Sequence, residues 1–588
     1  MTLPTRREAR EEQRRSAEPT ERPRRRRLLL WIGIPVLVIV VLLGWLGFKA
    51  LTVKGSLEAA QASLQQAQSG GDIAGAIDVV SREAGTAASA ANDPIWRAAE
   101  VIPWVGDNLR GVRVASEALD VVANDIGKPV LDMQGDGECK LLARALPIID
   151  QGSSSLAPLT AELASLAEND ALIGPVKGGV VQISDVLSGM QPVLDLLPGL
   201  LGVDGAKNYL LVFQNNAESL PLGGSAASET MIRADAGDLE ITGQASSGTF
   251  DADPGDIGIE ISEPLRNLCG NNYGVRVNMS TTRPYWPSAA QMVAAFWNRT
   301  VDDTRIDGAI SIDPIALSRI LVATGPVTVP GPDGDFQLDS ANALEVLLSK
   351  SYAWWNAYTP EGAVASDAFF AAVASKVFEA VSSGSMNLKD MAWAVNESIT
   401  QGSIMAWMAD PAQQSVIEAS GRLSGILPTD NATETAMGVY FRDASASKID
   451  YYLMTAIDAS MTCVDGVTRV TARATMNMDI SQEAADVLPA YVKSARNGSE
   501  YFSKHVFVYA PPGMEVESMR MDGDWVKPFR EGNEDLGRVV APFESRMPPG
   551  STVTVEVTFV GSGEFGPLSI RSNPMVKPTQ VVVTDDCH

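Results

Sequence analysis

Histidine is almost missing from this 588-residue chain, occurring only at His505 and His588. Histidine-based triads and histidine metal centres are therefore disfavoured, because the general base or ligand they need is scarcely present. His505 precedes the strand-like run Val506-Phe507-Val508-Tyr509 and reads as a structural residue. Cysteine is scarce too. Cys139, Cys269, Cys463 and Cys587 are too widely spaced for a zinc pattern but can form disulfides in an oxidising exterior. Strand-like runs end or begin at Cys463 and Cys587, which predicts that pair and leaves Cys139 with Cys269. Basic residues fall short of acidic ones, 46 against 72, for a formal charge of -26. Such a chain repels nucleic-acid phosphates and anionic lipid surfaces, so nucleic acid is not an expected partner. Internal repeats and low-complexity linkers are absent.

The basic residues that do occur are unevenly placed. Ten arginines lie within residues 1–27, and 21 uncharged residues follow, from Leu28 to Phe48. As a helix that stretch would reach roughly 32 Å, enough to cross a hydrocarbon core. Trp31 and Trp45 near its ends suit the headgroup layers, and the arginines place the N-terminus in the cytoplasm. A cleaved signal peptide fits less well, because the stretch exceeds a usual h-region and no small-x-small site follows Phe48. The expectation is a single-pass cell-membrane protein with most of its chain extracytoplasmic. Beyond residue 27 the balance is 36 basic to 67 acidic residues, a net -31.

The pattern predicts an α+β multidomain protein in five parts: a basic cytoplasmic tail (1–27), a transmembrane helix (28–48), an extracytoplasmic helical stalk or bundle (49–201), an α/β domain (202–435) and a β-sandwich (436–588). Leu57, Ala60, Leu64 and Ala67, like Leu156, Leu159, Leu163 and Leu166, recur at helical steps. Ser69-Gly70-Gly71, Asp93-Pro94 and Pro103-Trp104-Val105-Gly106 break the helices. The apolar run Tyr209 to Phe213 reads as a buried strand opening the α/β part. Helical patterns follow at Ala289–Trp297, Pro314–Ala323 and Ser340–Trp355, the last with an N-cap near Ser340. Val553, Val555, Val557 and Phe559 alternate with polar residues, the period of a half-buried strand.

The segment after the first strand, Gln214-Asn215-Asn216-Ala217-Glu218-Ser219-Leu220-Pro221-Leu222-Gly223-Gly224-Ser225, is the leading site candidate. It is expected to be a polar loop. Ligands in open α/β sheets bind beyond the carboxyl ends of strands. Gln214, Asn215, Asn216 and Glu218 would contact a polar group while Gly223 and Gly224 let backbone approach it; a hydrogen-bonded turn is the plain alternative. Arg233 and Arg283, with Arg319, are candidate cations that surface ion pairs also explain. Asp307 and Asp313 are candidate metal ligands, against plain roles as a strand-edge carboxylate and an N-cap before Pro314. Trp354-Trp355 and Tyr285-Trp286 could stack on sugars, although packing explains them equally.

The run Asn208 to Gly224 resembles the signature of the DUF4012 family of actinobacterial envelope proteins. Further matches are Val277-Asn278-Met279-Ser280 with Trp286-Pro287-Ser288-Ala289, Asp307 to Leu317 with Ala323-Thr324-Gly325-Pro326-Val327, and Ser447-Lys448-Ile449-Asp450-Tyr451-Tyr452-Leu453. The resemblance extends from about Asp93 to the C-terminus. The family usually carries arginine where this chain has Leu220, which weakens an anion-binding role for the segment. More distantly, the order of features is similar to the LytR-CpsA-Psr enzymes, which transfer glycopolymers from a polyprenyl-pyrophosphate carrier to peptidoglycan. Their arginine-bearing helix corresponds to Ser340–Ser351, which here offers only Lys350.

Together these resemblances imply a membrane-anchored envelope protein that binds a glycopolymer, a lipid-linked precursor or a partner protein during surface polysaccharide assembly, export or attachment. The alternatives are a LytR-CpsA-Psr-like phosphotransferase and a purely structural docking scaffold. No cofactor is expected, except a divalent metal if the phosphotransferase reading holds.

Overall fold

A computed structural model describes residues 41–42, 44–60, 62–63, 73–133, 140–251, 255–384, 386–419, 421–530 and 533–587. The tail 1–27, most of the apolar stretch 28–48, Leu64, Ala67 and Cys139 lie outside the described residues. Among the described residues, no helix is long and apolar enough to cross a membrane. The architecture is α+β and multidomain. Two compact units are present, one within residues 1–128 and 154–188, the other within 129–153 and 189–588.

The first unit is helical. Residues 44–60 form a helix, followed by α1 (Ile73–Ala91), α2 (Pro94–Ala99) and α3 (Gly106–Asp120). The break before α2 lies where Asp93-Pro94 demands it: Asp93 accepts from the Ile95 amide at 2.9 Å, and Pro94 occupies a position that needs no amide hydrogen. Ala87, Ala90 and Ala91 of α1 leave room for Trp96, which packs with Val53 and donates from its ring nitrogen to the Leu109 carbonyl at 3.0 Å. The long helices α4 (Leu141–Ala167) and α5 (Gly174–Leu200) follow. Leu156, Leu163 and Leu166 of α4 are buried, as their spacing predicts.

In the second unit, β1 (Lys207–Leu220), β2 (Gly223–Asp235), β3 (Asp238–Ser246) and β4 (Gly308–Ile312) are followed by a separate hairpin, β5 (Val327–Gly331) and β6 (Gly334–Leu338), and then by β7 (Ile404–Met408). The main sheet has the order β3-β2-β1-β4-β7. Only β1 and β4 run parallel within it; the other pairs are antiparallel, so it is a mixed sheet. Its centre is apolar on both faces. Leu210 and Val212 share a core with α6 (Trp286–Thr300), whereas Leu211 and Phe213 face a core built from α7 (Pro314–Thr324) and α8 (Pro360–Ser382). That explains the uninterrupted apolar run in β1. A further helix, α9 (Leu388–Gln401), starts on an Asn387 cap and ends at Gly402, whose φ of 80° suits glycine. The helix expected from Ser340 begins instead at Ala343, because the Asp339 carboxylate holds the Ala341 and Asn342 amides at 2.9 Å in a turn.

The C-terminal part is all β apart from short helical turns. Its strands are β8 (Thr435–Asp443), β9 (Leu453–Val464), β10 (Val467–Met478), β11 (Phe502–Tyr509), β12 (Glu515–Met521), β13 (Asp524–Trp525), β14 (Glu534–Asp535), β15 (Arg538–Met547), β16 (Thr552–Gly561), β17 (Leu568–Ser572) and β18 (Gln580–Asp585). They form two sheets, β13-β12-β16-β10-β9-β18 and β14-β15-β11-β8-β17. One core, including Phe441, Met461, Val506, Phe543, Val557 and Phe559, is drawn from both. In β16 the alternating Val553, Val555, Val557 and Phe559 are all buried, matching the period-2 pattern. The Cys463–Cys587 disulfide forms as expected, with Cα atoms 5.5 Å apart, and fastens the end of β9 to the chain two residues past the end of its parallel neighbour β18.

Cys269 corrects the second expected disulfide. It is a free thiol, 3% exposed, packed with Tyr273 and Met292. Burial pushes the thiol up to about 12, in spite of Arg442 nearby.

Candidate functional site

The expected loop after the first strand is a strand. β1 continues to Leu220 and turns through Pro221 and Leu222 into β2. The ladder is irregular between Asn215 and Ser219, where the Asn215 side chain accepts from the Ala217 amide at 3.0 Å and bulges the strand. The polar residues that suggest a loop are instead tied into the fold by hydrogen bonds. Gln214 accepts from the Gly224 amide at 2.9 Å, and Asn215 donates to the Tyr352 hydroxyl at 2.7 Å. Asn216, fully buried, donates to Asp313 at 2.9 Å and to the Pro574 carbonyl at 3.2 Å.

The glycine pair is structural as well. A Cβ on Gly224 would lie 2.2 Å from the Asn215 carbonyl carbon and oxygen, so the close approach is made by the chain's own backbone. Gly223 has a φ of 124°, open only to glycine, and a Cβ there would press on the Gln214 side chain at 2.8 Å.

Beside this bulged hairpin lies a cavity of about 420 Å³. Gln214, Asn215, Glu218 and Ser225 line one part, α8 residues such as Phe370, Ala371 and Val373 another, and Leu317, Leu347 and Leu348 add apolar wall. Lys448 and Tyr491 reach it from the C-terminal part. Lys448 is ion-paired with Glu218, which also accepts from the Ser225 hydroxyl. The ammonium lies 5.1 Å and 4.6 Å from the ring centres of Tyr352 and Tyr491. Burial alone would lower the Lys448 pKa; the Glu218 carboxylate outweighs it and raises it, keeping the amine charged.

A buried network holds Lys448 in place. Lys504, 1% exposed, donates to Asp443 at 2.7 Å and to Asp450. Asp450 also accepts from the hydroxyl and amide of Ser219, fastening the end of β1 to the strands that carry the network. Asp443 accepts from the Ser447 amide at 2.9 Å, immediately before Lys448.

The other candidates lie elsewhere. Asp313 caps α7 by accepting from the Ala316 amide at 2.8 Å; burial raises its pKa against the pull of that amide and Asn216. Asp307 accepts from the Asn208 amide at 3.0 Å and pairs with Arg305 and Lys207. Arg233 pairs with Asp235 at the surface, and Arg283 is held by Asp535 of β14 at 2.6 Å. Neither arginine lines the cavity. Arg319 donates to Ser398 and Gln401 of α9 rather than to an ion-pair partner. Trp286 is core, and Trp354 and Trp355 pack with Phe369. Among the described residues, no group of three or more His, Cys, Asp or Glu is arranged to hold a metal.

Two cavity residues escape the sequence reading. Lys448 lies within a recognised motif, Ser447 to Leu453, but nothing local shows which carboxylate it meets. Glu229, in the middle of β2, is a carboxylate in a strand that its neighbours Met231 and Ile232 mark as buried, and that mismatch was the available signal.

Fold and site together define an α+β protein whose mixed sheet, helices and two C-terminal loop residues, Lys448 and Tyr491, line an amphipathic cavity. Residues 204–352 match the family described as "Protein of unknown function (DUF4012)". No curated protein matches the chain. Solved structures with partial likeness include Lin1025 from Listeria innocua, 14% identical with a TM-score of 0.22 over 37% of this chain and 78% of that one. Another is gbs0355 from Streptococcus agalactiae, 14% identical with a TM-score of 0.24 over 39% and 76%. A third is a transcriptional regulator, EF0465, from Enterococcus faecalis, 12% identical with a TM-score of 0.21 over 38% and 74%. At these scores the likeness assigns neither fold nor function.

Proposed function

We propose that this is a single-pass membrane protein whose exterior part binds an amphipathic envelope molecule, a glycopolymer end or lipid-linked precursor, during surface polysaccharide assembly, export or attachment. The observation that carries this reading is the cavity, apolar along Phe213, Leu317, Leu347 and Phe370 and polar at Glu218, Asn215 and Lys448. A ligand with an apolar chain and a polar head matches both kinds of wall. In this reading residues 28–48 anchor the chain, residues 1–27 stay in the cytoplasm, and the Cys463–Cys587 disulfide persists outside.

Binding is preferred to phosphotransfer. Transfer from a pyrophosphate carrier needs cations aimed at the developing charge. Among the described residues Lys448 is the one basic side chain lining the cavity, and Glu218 already neutralises it.

Deletion of the gene should change envelope glycan composition. Wild-type protein should restore it, and Ala371→Trp, which fills the cavity, should not, at equal protein level. Unchanged composition on deletion would contradict the proposal.

A further inference from the structure

The first unit carries an exposed apolar turn. Between α2 and α3, Val101 is 83% exposed and Trp104 87%, and Ile102 and Val105 are open to solvent as well. The turn is tightly built: the Ile102 amide donates to the Ala99 carbonyl at 3.1 Å, the Gly106 amide to the Ile102 carbonyl at 2.8 Å, and the Asn108 side chain to the Trp104 carbonyl at 3.0 Å. Trp104 has a φ of 66°, a left-handed conformation that a bulky side chain rarely takes. The fold thus holds a large ring outward on strained backbone, and strain of this kind clusters at functional positions. Ile173, in the turn from α4 to α5, is exposed beside it: its amide donates to the Asn108 side-chain oxygen at 2.8 Å, and Asn169 of the same turn donates to Asp107 at 3.2 Å. Exposed apolar side chains grouped in this way mark an interaction surface.

Its place in the unit says what covers it. The apolar stretch 28–48 runs into the helix 44–60, and the end of that stretch lies against the Asp93 end of α1: Trp45 donates from its ring nitrogen to Asp93 at 3.2 Å, and the Lys49 ammonium is 3.6 Å from the same carboxylate. α1 arrives at this end and α3 leaves it, with Trp96 bonded to Leu109 close by and Ser81, about three turns back along α1, accepting from Asn124 at 2.9 Å. The exposed turn and the end of the apolar stretch therefore share one end of the unit. Charges there are answered within the protein, Glu100 by Arg113 at 2.6 Å and Asp170 by Lys177 at 2.7 Å. We infer, resting on the single-pass reading above, that the turn 101–105, with Ile173, inserts into the outer leaflet of the bilayer that holds the anchor, giving the exterior part a second, interfacial contact with lipid. Val101, Ile102 and Val105 supply apolar area, and the Trp104 ring suits the headgroup boundary. Being apolar, the contact needs no anionic lipid, which an acidic exterior would repel.

The test uses the full chain in phosphatidylcholine nanodiscs, on a Cys139→Ser background, with a thiol-linked fluorophore at one position at a time: Val101→Cys, Trp104→Cys, Val186→Cys or Ile39→Cys. Cys269 is sealed in the core and the other two cysteines are bonded, so they stay unlabelled. Val186 is also exposed, at 63%, but lies along α5, roughly 18 Å from its first residue. Lipids with spin labels on the acyl chain should quench the fluorophores at 101 and 104 at least about twofold, as insertion by roughly 5–10 Å would, while aqueous iodide reaches them poorly. At residue 186 the two quenchers should exchange roles. Adding phosphatidylglycerol should change neither result. Trp104→Asp in the chain labelled at 101 should abolish the lipid quenching at an unchanged melting temperature, and Trp104→Phe should keep it. Lipid quenching at residue 39 but not at 101 and 104 overturns the inference and leaves the anchor standing; its absence at residue 39 as well overturns both. Fluorophores at 101 and 104 that are shielded from iodide yet unquenched by lipid mean that protein, a second copy included, covers the turn, and this too overturns the inference.

Discussion

Glu229 has a carboxyl with no partner, so its ionisation works against the fold. In the unfolded chain it loses its proton near 4.5, in the fold near 8, and desolvation is the sole cause of the difference. The other titratable groups of the cavity, Glu218, Asp367, Lys448, Tyr352 and Tyr491, add nothing to it. Between those values the folded state binds more protons than the unfolded one, so this residue's contribution to stability falls as pH rises from 4.5 to about 8 and then levels off. Glu229→Gln should flatten that slope and raise stability at pH 8 by about 1–3 kcal/mol, read from denaturant unfolding across the range. An unchanged slope would mean that the carboxyl is ionised and paired. Lys504 is the opposite case. Lys504→Met leaves Asp443 and Asp450 buried without their cation and should cost about 3–5 kcal/mol. Lys448→Met should cost only about 1 kcal/mol, because the Glu218 side chain keeps 27% of its surface in solvent. His505 was legible as structural from its place before an apolar run; burial, with Arg442, Arg530 and Lys504 close by, pushes it down to about 2 and keeps it neutral. Glu229 and Lys448 were not assignable, since the first depends on a missing partner and the second on one 230 residues away.

The β1–β2 hairpin shows why the site was only half legible. Composition placed the right residues beside the cavity, yet amides and glycines read as a loop when they in fact bond to each other across a bulge. Gly224→Ala should therefore destabilise by about 1–3 kcal/mol or more through the clash with Asn215, whatever its effect on binding. Asn216→Ala should lower the melting temperature too, because Asp313 and the Pro574 carbonyl lose a buried donor. The β16 alternation and the Asp93-Pro94 break were legible because each depends on adjacent residues alone. The Cys463–Cys587 pair was legible because both cysteines bound strand-like runs. Cys139 with Cys269 followed by elimination alone, and elimination does not detect a thiol sealed in a core. Replacing Cys463 and Cys587 by Ser should cost about 2–4 kcal/mol of stability, measured by unfolding with and without reductant.

At the scale of the whole molecule, the family match ends at residue 352, whereas the cavity also needs α8, Lys448 and Tyr491. The C-terminal part thus contributes to the site: its Asp450 holds Ser219 of β1, and the same network places Lys448. Protease shaving of intact cells should remove both sheet regions and leave an N-terminal fragment that contains residues 1–48 in the membrane. An untouched exterior part would count against the proposed topology. The central claim is that the cavity holds an amphipathic ligand, and native mass spectrometry of the full chain, released from its own membranes in detergent, tests it most directly. Wild-type protein should carry a stoichiometric adduct with an apolar chain and a glycan head, and Ala371→Trp should lack it at equal thermal stability. Wild-type protein free of any adduct, or an adduct retained in Ala371→Trp, would contradict the account.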